Sequence, residues 1–71
     1  MAKRKQKEKT LGQRIRTTRA AAGLTQEELA DAAGTTQDHV SDIERDVHVP
    51  GLALLGRLAA ALGVGIGDLV E

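Results

Sequence analysis

The chain has 71 residues, 41% of them hydrophobic, with no cysteine, no phenylalanine, tyrosine or tryptophan, and a formal charge of zero. That length allows one domain, and a chain of this size buries only about 60% of its unfolded surface, so aliphatic packing must build the whole core. A disulfide framework is excluded, no apolar stretch of secretory length follows the basic start, and no apolar run approaches membrane thickness, so a cytoplasmic protein is expected.

The zero sum conceals a strong polarity along the chain. Residues 1–19 carry Lys3, Arg4, Lys5, Lys7, Lys9, Arg14, Arg16 and Arg19 against Glu8, a balance of +7, whereas residues 20–71 carry Arg45 and Arg57 against nine acids, a balance of −7. Residues 1–10 have no apolar pattern and are expected to form a disordered basic arm. Such an arm lies along phosphates, each contact releasing counterions, or it serves as a solubilising and charge-balancing tail.

From residue 11 the pattern becomes helical. Leu11, Ile15 and Ala22 form a stripe that ends at Gly23 and predicts the first helix. Thr25 stands three residues before Glu28, the spacing of a capping box, and Leu24 and Leu29 flank it as a hydrophobic staple, so the second helix starts here. Gly34 follows Ala32 and Ala33 where a left-handed residue ends a helix, and Thr36 caps the third helix. In that third helix Val40 and Ile43 define a narrow inward stripe, leaving Asp38, Ser41, Asp42 and Arg45 pointing outward and Gln37 at the edge near its start. Two short amphipathic helices joined by a tight glycine turn are the outline of a DNA-binding helix-turn-helix.

Leu52, Leu55, Leu58, Ala59 and Leu62 predict a fourth helix ending at Gly63, and Ile66, Leu69 and Val70 a short fifth. Gly56 is a poor residue for a helix interior, costing about 1 kcal/mol relative to alanine, and its alternative reading is a close helix contact.

Leu11 to Leu69 resembles the lambdoid phage repressor and Cro group of helix-turn-helix proteins, the XRE family. The matching residues are Arg14, Ile15, Arg19, Gly23-Leu24-Thr25-Gln26, Glu28-Leu29-Ala30, Gly34-Thr35-Thr36-Gln37, Val40, Ile43-Glu44-Arg45, Pro50 and Leu62-Gly63-Val64. The resemblance implies an all-α, five-helix domain whose third helix enters the major groove while the second crosses the backbone. It implies that Gln26 contacts a phosphate and steadies Gln37, and that Arg19 and Glu44 form a partly buried, architectural ion pair.

On this reading Gln37, Asp38, Ser41, Asp42 and Arg45 read bases, and Thr25, Gln26, Arg14, Lys3, Arg4 and Lys5 contact phosphates. Gln37 can make paired hydrogen bonds to adenine, and either aspartate can accept from the amine of cytosine. Asp38 also fits a silent role, stabilising the positive end of its helix. The acids Asp38, Asp42, Glu44 and Asp46 are expected to oppose phosphate approach from this face.

The loop Asp46-Val47-His48-Val49 lacks the usual basic residues, and Val47 and Val49 are assigned to a dimer contact. His39 and His48 have no cysteine partners and no ligand spacing, and the single serine has no candidate triad, so neither a metal, a cofactor nor an enzyme is expected.

The expected function is a transcriptional regulator, a repressor binding a palindromic operator on double-stranded DNA as a homodimer, with no membrane partner and no room for an effector domain. Two alternatives stay open. The acidic third helix would dock a basic protein, as in an antitoxin or coactivator subunit, or the chain would be the DNA-binding part of a larger regulator.

Overall fold

Threonines set the starts of the first three helices. The computed structural model describes residues 9–70 and comprises α1 (Leu11–Ala21), α2 (Gln26–Ala33), α3 (Gln37–Glu44), α4 (Leu52–Leu62) and α5 (Ile66–Val70). Thr25 Oγ1 accepts from the Glu28 N–H at 3.0 Å while Glu28 Oε1 accepts from the Thr25 N–H at 2.9 Å, closing the capping box that the spacing predicts. Thr36 Oγ1 accepts from the His39 N–H at 3.2 Å and starts α3. Between them Gly34 takes φ 72°, a left-handed conformation that a Cβ would strain. Its amide and that of Thr35 bond back to carbonyls of α2, turning the chain directly into α3.

A second capping box, absent from the sequence reading, opens α1. Thr10 Oγ1 accepts from the Gln13 N–H, and the Gln13 side chain accepts from the Thr10 N–H. Thr10, the last residue assigned to the basic arm, is therefore the N-cap of α1. Lys3, Arg4 and Lys5 lie outside the described residues.

The core is aliphatic throughout. Ile15 from α1, Leu29, Ala30 and Ala33 from α2, Val40 and Ile43 from α3, Leu55, Leu58, Ala59 and Leu62 from α4, and Leu69 from α5 are all buried. Each full-sized side chain among them contributes about 1.5–3 kcal/mol on burial. In this arrangement α2 packs on both α3 and α4, α1 crosses α3 and α5, and α5 closes on α4.

Three residues depart from the predicted inner stripes. Ala22 is exposed because it serves as the C-cap of α1, beyond its last packed turn. Leu52 is 75% exposed because it is the first residue of α4 and projects beyond the core. Val70 ends α5 and is also exposed.

Two helix-interior glycines have opposite roles. A Cβ on Gly56 would meet its first neighbour, Ile66 Cδ1, at 3.7 Å, an ordinary contact, so no close approach requires glycine there. Gly56→Ala is accordingly expected to raise stability by about 1 kcal/mol. A urea midpoint equal to or below that of the parent would contradict this. Gly12 in α1 is the close contact. A Cβ on it would overlap the Ile43 carbonyl oxygen and stand 2.9 Å from that of Glu44, so α1 touches the backbone of α3 there.

Candidate nucleic-acid interface

The outward side of α3 is presented by a polar assembly beneath it. Glu44 faces inward at the end of α3, with its side chain only 2% exposed. Its Oε2 accepts from Arg19 Nε at 2.6 Å, and its Oε1 accepts from Arg19 Nη2 and Gln26 Nε2, each at 3.1 Å. Arg19 Nη1 donates to the Leu24 carbonyl at 2.8 Å. One carboxylate thus ties the end of α1, the first turn of α2 and the last turn of α3 together. The hydrogen bond to Glu44 raises the Arg19 guanidinium above its ordinary range, against the opposing effect of burial. The ion pair implied by the resemblance is present, while Gln26 bonds to Glu44 where the resemblance implies contact with Gln37.

A second clamp, just past the C-cap of α3, holds the same end of that helix to the start of α1. Asp46 adopts φ 62°, in the left-handed region that aspartate tolerates better than most residues. Its Oδ2 accepts from Thr10 Oγ1 at 2.6 Å and its Oδ1 from the Gly12 N–H at 3.1 Å. The carboxylate satisfies an orphan amide at the N-terminus of α1, where the helix dipole favours negative charge.

These contacts correct the expected acidity of the face. Glu44 is buried and neutralised, and Asp46 folds back onto α1. Asp42 Oδ1 accepts from Arg45 Nη2 at 2.7 Å, an exposed i,i+3 pair of little energetic weight that nevertheless balances its charge. Of these four acids only Asp38, in the first turn of α3, keeps a carboxylate without a hydrogen-bonding or ion-pair partner among the described residues.

The outward residues assemble as the helical spacing predicts. Gln37, Asp38 and Arg45 are exposed, and Ser41 and Asp42 half-buried. Ser41 and Arg45 share a cleft with Arg16, Arg19, Gln26 and Glu44. Thr25 is exposed at the start of α2, beside Gln26. Arg14 is not brought to this group: it lines a depression with Gly65, Gly67 and Asp68 on the α5 side. Arg16, not picked out as a site residue from sequence, stands in its place. The two residues lie about 200° apart around α1, so facing α3 with one turns the other away.

Beyond α3, Val47 and Val49 are 65% and 76% exposed, beside the exposed Leu52. The rings of His39 and His48 lie 4.5 Å apart at a 57° tilt, so the half-buried His39 props the loop residue His48. Among the described residues no three histidine, cysteine or acidic side chains cluster as metal ligands.

A helix-turn-helix family model matches residues 15–69, the span running from the buried Ile15 to the buried Leu69. The chain belongs to the helix-turn-helix family, in its XRE, lambdoid-repressor type. The immunity repressor of Bacillus phage phi105 is 41% identical over 61 residues, which cover 86% of this chain and 42% of that protein. The chain therefore spans less than half the length of this curated relative. The helix-turn-helix domain is also similar to SinR, the master regulator for biofilm formation, solved in complex with DNA. The TM-score is 0.83 at 33% identity, covering 87% of this chain and all (100%) of that one. The P22 c2 repressor, solved with a synthetic operator, gives a TM-score of 0.85 at 26% identity, covering 90% of this chain and 97% of that one. In this helix-turn-helix domain no described helix is long and apolar enough to cross a membrane.

Proposed function

We propose that the domain is a sequence-specific DNA-binding transcriptional regulator, acting as a repressor that occludes a promoter when bound as a homodimer to a palindromic operator. The observation that carries this reading is the Glu44 network. It fixes α3 to both neighbouring helices while leaving Gln37 exposed in its first turn, the position from which a recognition helix reaches base edges. The DNA-bound SinR and P22 structures share this fold.

In this arrangement Gln37 reads adenine, and Asp38, Ser41, Asp42 and Arg45 complete the readout. Thr25 and Gln26 at the start of α2 hold phosphates, joined by Lys3, Arg4 and Lys5 of the basic arm. Arg14 is omitted, since it faces α5. The rival reading, in which an acidic α3 docks a basic protein, is weakened by the internal pairing of Asp42, Glu44 and Asp46.

The test is fluorescence anisotropy of a labelled random-sequence duplex pool, followed by sequencing of the retained DNA. A palindromic site with half-site centres about one helical turn, roughly 34 Å, apart should be enriched, and Gln37→Ala should lose that preference. Retention that vanishes with salt and enriches no sequence would count against operator reading.

The dimer contact is assigned to Val47 and Val49, whose exposure leaves apolar surface for a second copy. Val47→Lys or Val49→Lys is expected to shift the protein toward monomer in sedimentation velocity. Unchanged sedimentation would remove the valines from the interface.

A further inference from the structure

Between α1 and the outer side of α3 lies a cleft of about 260 Å³, lined by Arg16, Arg19, Gln26, Ser41, Glu44 and Arg45. Its polar groups are unequally committed. Arg19 spends Nε and both Nη atoms on Glu44 and on the Leu24 carbonyl, and both Glu44 oxygens are occupied in return. Arg45 is turned to Asp42. Gln26 gives one amide hydrogen to Glu44 and keeps the other. Arg16 is exposed and, among the described residues, makes no hydrogen bond or ion pair, and the Ser41 hydroxyl likewise has no partner. The cleft thus presents an uncommitted guanidinium, a hydroxyl and an amide N–H, and its one lining carboxylate, Glu44, is matched by Arg19.

We infer that this cleft is a phosphodiester site in which Arg16, from α1, closes on the DNA backbone beside the recognition helix. The inference rests on the DNA reading above and adds to it an anchor on α1. A phosphodiester offers two non-bridging oxygens, which the planar fork of a guanidinium meets with parallel N–H donors, and the Ser41 hydroxyl and the second Gln26 hydrogen point to the same class of acceptor. Arg19 is not available for this task, because Glu44 holds it. The contact would fix the approach of α3 without itself carrying sequence information.

Affinity for one selected duplex, measured across a salt series, tests the assignment. Arg16→Ala is expected to weaken binding about tenfold, equally on matched and mismatched duplexes, and to reduce the slope of log affinity against log salt by about 0.9, the loss of one phosphate contact. Arg16→Lys should keep the slope and recover only part of the affinity, because charge is retained and the fork is lost. Arg14→Ala removes the same charge from the α5 side and should leave both quantities close to those of the parent. Equal losses in the two alanine variants would reduce Arg16 to general charge and overturn the site. So would an unchanged Arg16→Ala while Gln37→Ala abolishes site preference, an outcome that leaves the DNA reading standing. A parent protein that binds no duplex overturns both.

Discussion

Gly12→Ala is expected to destabilise the domain by about 3 kcal/mol, the upper part of the usual overpacking range. The reason is the identity of what the new methyl group would meet. Two of its neighbours are main-chain carbonyl oxygens, those of Ile43 and Glu44, and the third is Asp46 Oδ1 at 2.6 Å. Backbone at the end of a packed helix cannot turn aside as a flexible side chain can, so α1 and α3 must separate. Separation also stretches the Gly12 N–H to Asp46 bond and loosens the clamp on Thr10. A chain of this length has a total stability of only roughly 4–10 kcal/mol, so the loss is a large share. The melting temperature followed by circular dichroism should fall by more than roughly 10 °C. A Gly12→Ala protein melting within a few degrees of the parent would show that α1 and α3 do not touch as described.

Glu44→Ala is expected to cost roughly 3–5 kcal/mol, because it strands a guanidinium that is itself mostly buried. The Arg19 side chain is 15% exposed, and without Glu44 it keeps only the Leu24 carbonyl as a partner. Gln26 loses its acceptor at the same time. Removing both charges should do less harm than the single changes predict together, so Arg19→Met with Glu44→Leu should lie well above the additive expectation in a urea-unfolding cycle. Additive losses, or a cost below about 1 kcal/mol for Glu44→Ala, would contradict a coupled buried pair. The pH dependence follows from the sign of the Arg19 shift. Its folded value is raised, so the stabilisation is complete at every pH below the ordinary arginine range and is lost only as pH rises through the folded value. Titration of Arg19 therefore adds no slope to stability across the neutral range.

The local features of this fold were legible in the residues because each is written within a few positions. Thr25 with Glu28, Gly34, and Thr36 before the Val40 and Ile43 stripe specify the helix-turn-helix by short-range chemistry. The Thr10 and Gln13 capping box carries the same signature, but it follows directly on a run of basic residues that reads as a tail. What sequence spacing does not contain is the partner across the fold. Asp46 reaches Thr10 and Gly12 over 36 and 34 residues, and nothing near Asp46 announces a cap for α1. The acids of the third helix therefore looked like a charged face, although Glu44 and Asp46 are structural. Gly12 and Gly56 make the same point from the other side. Both interrupt helices, and only the Ile43 carbonyl decides that Gly12 is the one that must lack a Cβ. Arg14 and Arg16 differ by the rotation of α1, which the stripe of Leu11 and Ile15 fixes only once α3 and α5 are in place.

The most direct measurement is amide chemical-shift mapping of the isotope-labelled protein titrated with the duplex recovered from the random pool. If α3 is the reading element, shifts should concentrate at Gln37, Asp38, Ser41 and Arg45 and at Thr25 and Gln26, remain there at near-physiological salt, and be small on α5. Shifts confined to the first nine residues, disappearing as salt is raised and leaving α3 unperturbed, would contradict operator reading by this helix.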